Sequence, residues 1–254
     1  MTVGTGQIVA ARRVGLGLGA ALLASALSGS AQQSACRQLL ARARTLAERF
    51  ETAQAQKALG EPGRGGCDVR VATTYLRGLQ AAREASAKGG DDESLLPVRR
   101  AVANLDAMGD AGGPAEIASL VLRAAAAAAQ SEREEMAVVL AQALQVERAR
   151  GARGLDGAPV LSAHQMAGEL WLQVHRYEEA AAAFLVARGV AGDSPRVSVG
   201  LARARAREGR VPEACDAYRA VERLAPDVRA VMKAEVAEAQ EFLRQPACRP
   251  ATRR

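Results

Sequence analysis

A chain of 254 residues, 49% hydrophobic and 24% charged, is long enough for one extended domain with a sizeable core. The net charge of +6 is a mild bias carried by 31 Arg against three Lys, which fits high-GC coding in a bacterium better than selection for polyanions. With 3% aromatic residues there is little to stack on bases, so a nucleic-acid partner is disfavoured.

Residues 1–31 carry a secretory pattern: Arg12 and Arg13, an apolar run from Val14 to Leu27, then small residues ending at Ala31. The apolar run is too short for a comfortable membrane span. Cleavage is expected after Ala31, with Ser28-x-Ser30 as a second candidate, leaving a net charge of +4 on the mature chain. Arg12-Arg13 is a weak match to twin-arginine signals, so the general secretory route is favoured. Ser34-Ala35-Cys36 is similar to a lipoprotein signal end, but Gln33 stands where an aliphatic residue belongs, and lipidation is the minority reading.

The mature chain shows helical periodicity and no strand-like alternation. Leu39, Ala43, Leu46, Phe50 and Ala53 define a first amphipathic helix, broken by 61–66. A second helix is expected from an Asp68 N-cap to Gly89-Gly90, and a third through Pro97, Val98, Val102 and Leu105 to Gly109. Pro114 opens a fourth with Ile117, Leu120 and Val121, whose run from Ala124 to Ala129 reads as helix propensity and close packing. Ser131-x-x-Glu134 is a capping-box pattern, so a fifth helix is expected to start there and carry Met136, Val139, Leu140, Ala143 and Leu144. Residues 32–150 thus form a region of degenerate hairpins, and 151–160 a connector.

Beyond the connector the chain matches itself at an offset of 34 residues. His175-Arg-Tyr-Glu-Glu-Ala180-x3-Phe184 recurs as Gly209-Arg-Val-Pro-Glu-Ala214-x3-Tyr218. These two copies, at about 161–194 and 195–228, resemble the tetratricopeptide repeat. Gly168, Trp171, Ala180 and Phe184 match in the first copy, and Leu201, Ala214, Tyr218 and Pro226 in the second. His164 and Ala167, then Ser198, Ala202 and Arg205, depart from the pattern. The resemblance implies an all-α, right-handed helical-hairpin solenoid, with Asp227 to Leu243 as a single capping helix ending the repeat unit at 245 and 246–254 as a loose tail.

Cys36, Cys67, Cys215 and Cys248 all follow the leader, and an even count in an exported chain favours two disulfides. Cys215, at the start of one helix, and Cys248, just past the end of the next, are brought together by antiparallel packing. That closure should contribute about 3 kcal/mol in the chain-entropy model. Cys36 with Cys67 requires the first helix to end early, near Glu51 to Gln56, because an unbroken helix to Leu59 would be about 35 Å long.

Chemistry is sparse. His164 and His175 lie about 16 Å apart along a helix and do not form a metal pair. No metalloprotease, nucleophile-elbow, phosphate-loop or dinucleotide motif supports catalysis. No enzyme activity, cofactor or metal is therefore expected. A binding surface is easier to propose. Arg196, Arg203 and Arg207, spaced by seven and four, form one stripe on a helix. The resemblance places that helix along a peptide groove, with Gln165, Glu169 and Gln173 on the preceding repeat. The expectation is a periplasmic or secreted scaffold that binds a protein or peptide, acidic if the Arg stripe selects it. The rivals are an accessory or enzyme of cell-wall or polysaccharide metabolism, and a self-assembling homo-oligomer. Membrane association is expected only if Cys36 is lipidated.

Overall fold

A computed structural model describes residues 34–60, 69–109, 113–150, 159–192 and 194–248, and every element among them is helical. The leader, Cys67, Asp68, most of the connector and the last six residues lie outside the described residues.

The helices are α1 (34–48), α2 (Thr52–Leu59), α3 (Arg70–Ala87), α4 (Leu96–Asp106), α5 (Pro114–Ala129) and α6 (Arg133–Arg150). They continue as α7 (Ala163–Gln173), α8 (Tyr177–Ala191), α9 (Pro195–Arg207), α10 (Val211–Glu222), α11 (Pro226–Val231) and α12 (Lys233–Leu243), followed by a 3-10 turn, Pro246–Cys248. Neighbours pair as α3/α4, α5/α6, α7/α8 and α9/α10. The first helices α3, α5, α7 and α9 pack in succession, and each second helix also meets the first helix of the next pair.

One backbone motif makes four of the turns. After α1, α5, α7 and α9 the chain turns in three residues whose middle member, Phe50, Ser131, His175 or Gly209, has a left-handed φ between 62° and 77°. In each, that residue's N–H and the next one's reach back into the last turn. His175 N donates to Leu172 O and Arg176 N to Trp171 O, as Gly209 N does to Ala206 O and Arg210 N to Arg205 O. This is the Schellman closure, which satisfies helix-end carbonyls that would otherwise lack donors. Phe50/Glu51 and Ser131/Glu132 make the same pair of bonds.

Several expectations change. The first helix does not run on through Phe50; it ends at 48, a little before the 51–56 window that a Cys36–Cys67 bridge requires. α3 starts at Arg70, with Val69 at its N-cap and no side-chain cap there; the expected cap Asp68 lies outside the described residues. The break at Ser131 is where the sequence put it, but Ser131 closes α5 through its backbone and does not open α6 as a capping box. The expected capping helix from Asp227 to Leu243 is two helices, broken at Met232, whose side chain is 1% exposed in the core. Residues 246–248 are an ordered turn and not part of a tail, because Cys248 is bridged to Cys215 with 5.5 Å between their Cα atoms.

The core follows chain order. A large cluster runs from Ala43 in α1 through Val174, just past α7, a second joins α8 to α9 around Phe184, and a third joins α9, α10, α11 and α12 around Tyr218 and Met232. Trp171 packs against the first two and Ala217 against the last two, so the clusters are continuous. Phe184 is fully buried between α7 and α9, where the absence of a Cβ at Gly168 and at Gly200 makes room for its ring. A Cβ at Gly168 would lie 2.6 Å from that ring. Ala180, Ala214, Leu201 and Tyr218 are buried as packing residues, whereas Pro226 is exposed and opens α11.

Candidate functional site

The faces of α7 and α9 that bear the polar candidates are set by strong helix starts. Ser162 Oγ accepts from Gln165 N at 3.2 Å and Ser194 Oγ from Val197 N at 3.1 Å, with Pro195 preset for the first turn of α9. Glu147 of α6 reinforces α7: its carboxylate accepts from Ala163 N, His164 N and His164 Nδ1. His164 is therefore a buried structural group, and His175 sits 2.9 Å from Tyr177 Oη in an exposed turn. Among the described residues no group of three or more His, Cys, Asp or Glu could hold a metal ion.

Gln165, Glu169 and Gln173 share one face of α7, and each meets a group from earlier in the chain. Gln165 donates to Glu48 (3.3 Å) and Gln173 to Ser86 (3.0 Å). Glu169 accepts from Arg83 (3.4 Å) and, through both oxygens, from Nε and Nη2 of Arg196. The remaining arm of Arg196 donates to the backbone carbonyl of Ala47 at 2.9 Å, and its guanidinium lies 4.4 Å over the Phe50 ring. Arg83 also reaches Thr52.

The turn between α1 and α2 is thus seated on α7 and α9, with Arg196 as its clamp. Arg196 is only 1% exposed, so this Arg of the stripe holds the molecule together and does not face solvent. Burial is the main force on the Glu169 carboxyl and pushes it up to about 7; Arg83 and Arg203 pull it down, and the neighbouring Glu48 pushes it further up.

Two turns further along, the stripe changes character. Arg203 holds Glu238 of α12 in a fork, Nε to both oxygens at 3.0 and 3.1 Å and Nη2 at 2.6 Å. Tyr218 Oη donates to the same carboxylate at 2.7 Å, and Phe242 packs on the Tyr218 ring at 4.7 Å. Partial burial opposes ionisation of Glu238, but the bonds from Arg203 and Tyr218 outweigh it and hold the carboxyl below its usual range. Arg207 is exposed, makes no hydrogen bond or ion pair with a described residue, and acts on Glu238 and Tyr218 through space.

These groups line a cavity of about 620 Å³ walled by Leu172, His175, Tyr177, Ala206, Tyr218 and Phe242. A smaller one of about 250 Å³, bounded by Phe50, Gln173 and Gly200, shares Leu172 and Arg203 with it. Together they make a cleft from the seated α1–α2 turn to α12, with aromatic walls and cationic groups. Such a surface can grip carboxylates while covering apolar side chains.

Sequence spacing found the Arg stripe and the α7 face. It did not find the seat for the α1–α2 turn, nor Glu238, Phe242 and Tyr177, which come from elements whose spatial neighbours no local pattern encodes. Gly200 was one available signal, a glycine inside α9 whose missing Cβ leaves room for the Phe184 ring. Comparison of the chain with protein-family models, with curated proteins and with solved structures finds no match to any of them.

Proposed function

We propose that this protein is an exported, tetratricopeptide-like adaptor that captures an acidic peptide or partner segment in the cleft of a helical-hairpin solenoid. The observation that carries the reading is the 620 Å³ cavity, where the exposed Arg207 and the half-exposed Arg203 stand among Tyr177, Tyr218 and Phe242. The same face already binds polypeptide: Arg196 takes the Ala47 carbonyl and stacks on Phe50. The pairing order of the helices and the matching turns at His175 and Gly209 support the solenoid.

Export is supported by cysteine chemistry, since oxidised cysteines persist in oxidising compartments. Cys215 is bridged to Cys248, and Cys36 is also disulfide-bonded, which leaves no thiol there for a lipid. Among the described residues no helix is long and apolar enough to cross a membrane.

The test is capture from bacterial envelope extract by the parent chain and by Arg207→Ala, identified by mass spectrometry and repeated at rising salt. Arg196 stays intact because it holds the fold. A partner retained by the parent, lost by Arg207→Ala and released by salt is the expected result. Equal, salt-insensitive capture by both would move the interface off this cleft.

A further inference from the structure

Glu238 sits in the cleft the way a ligand carboxylate would. It receives a guanidinium fork from Arg203 and a phenol proton from Tyr218, the donor set that planar, bidentate recognition of a carboxylate calls for. Unlike Arg196, whose side chain is 1% exposed, both members of this pair are open to water: the Arg203 side chain is 36% exposed and that of Glu238 34%. A dissolved carboxylate can therefore reach Arg203 without unfolding anything.

α12 is attached in a way that lets Glu238 give way. Its ends are fixed, by buried Met232 on one side and by the Cys215–Cys248 bridge on the other, where Arg219 Nη2 also donates to the Cys248 carbonyl. Between them only Ala239 is buried. A change of Glu238 rotamer would vacate Arg203 and leave the helix in place. Arg207, one turn further along α9, lies where a second acidic group of the same ligand would pair.

We infer that Glu238 is a built-in competitor for the cleft, occupying Arg203 and Tyr218 until an acidic segment of a partner takes them over. The inference rests on the peptide-binding reading above and adds its regulation. Competition by a tethered group lowers apparent affinity in proportion to its occupancy and discards ligands that carry too little acidic charge to displace it.

The experiment measures binding of a fluorescein-labelled hexaglutamate peptide to the full chain by anisotropy, for wild type, Glu238→Gln and Arg203→Ala, with thermal melts as the folding control. Glu238→Gln should tighten binding by about three- to ten-fold, since a neutral amide holds the guanidinium less well, and Arg203→Ala should abolish it. Equal affinity in wild type and Glu238→Gln, both binding through Arg203, overturns the competitor and leaves the cleft reading standing. No binding by any folded variant, Glu238→Gln included, overturns both. A second readout uses the wild type alone: the Glu238 carboxyl carbon resonance should move to the position of a free glutamate side chain as peptide saturates the protein. A resonance that stays put at saturation overturns the inference even if the variant fails to fold.

Discussion

Arg196 and Arg207 stand on one face of one helix, yet the first is 1% exposed and the second lies open to solvent. The difference comes from what the rest of the chain brings to each. The α1–α2 turn delivers Ala47 and Phe50 to Arg196, and α7 delivers Glu169, so every arm of that guanidinium is used. Among the described residues, none reaches Arg207 in that way. A charge stripe read from sequence is therefore several different environments, and neighbours decide whether a residue is internal cement or a free hand.

The sharpest break of this comparison is Arg196→Ala. It leaves the buried Glu48 and the half-buried Glu169 with less positive charge and unseats the α1–α2 turn, and should cost about 3 kcal/mol in urea denaturation. If instead the loss is within about 0.5 kcal/mol, as expected of an exposed surface change, the clamp is not a clamp.

Next in size is a pH effect. The Glu169 carboxyl is raised from 4.5 to about 7 in the fold, so the folded chain holds a proton that the unfolded chain has released. Its contribution is fully present below about 4.5 and is lost as pH rises to about 7. Glu169→Gln removes that slope, so stability relative to wild type should shift in favour of the variant by about 3 kcal/mol between those limits. Glu238 has the opposite sign: its depressed carboxyl supports the fold above the unfolded value of 4.5 and loses that support as pH falls through the folded one. Screened by water, its contribution should be under about 1 kcal/mol, and Glu238→Gln should flatten only the acid limb of a pH–stability curve.

Gly200→Ala tests the ground between the two regions. The added methyl meets the Phe184 ring and should cost about 1–2 kcal/mol in thermal unfolding, loosening the smaller cavity that Phe50 and Arg203 share. Arg207→Ala is the smallest perturbation of the fold, within about 0.5 kcal/mol, although it should have the clearest effect on partner capture.

What the sequence made legible follows from distance along the chain. The α7–α8 and α9–α10 hairpins could be read because their turns, Ala180 and Ala214, and Phe184 and Tyr218 repeat at a fixed offset. The same turn after α1 was hidden, since Phe50 occupies the left-handed position where glycine would be the usual signal, and at Ser131 the break was legible but its backbone closure was not. The Cys215–Cys248 bridge was legible because antiparallel neighbours place one helix start beside the next helix end. The seat around Arg196 was not, because hydrophobic period and motif spacing carry no information about which distant turn will land on a given face.

The seating of the α1–α2 turn also has a meaning in time. Most helices here pack against neighbours one or two elements away, contacts that form early at little loop-closure cost. The turn instead waits for Gln165, Arg196 and Asp227, which lie 117, 149 and 178 residues after their partners Glu48, Ala47 and Arg49. During synthesis from the N-terminus, Phe50 exists long before α9 is made, so its docking over Arg196 has to wait until α9 has been added to the chain.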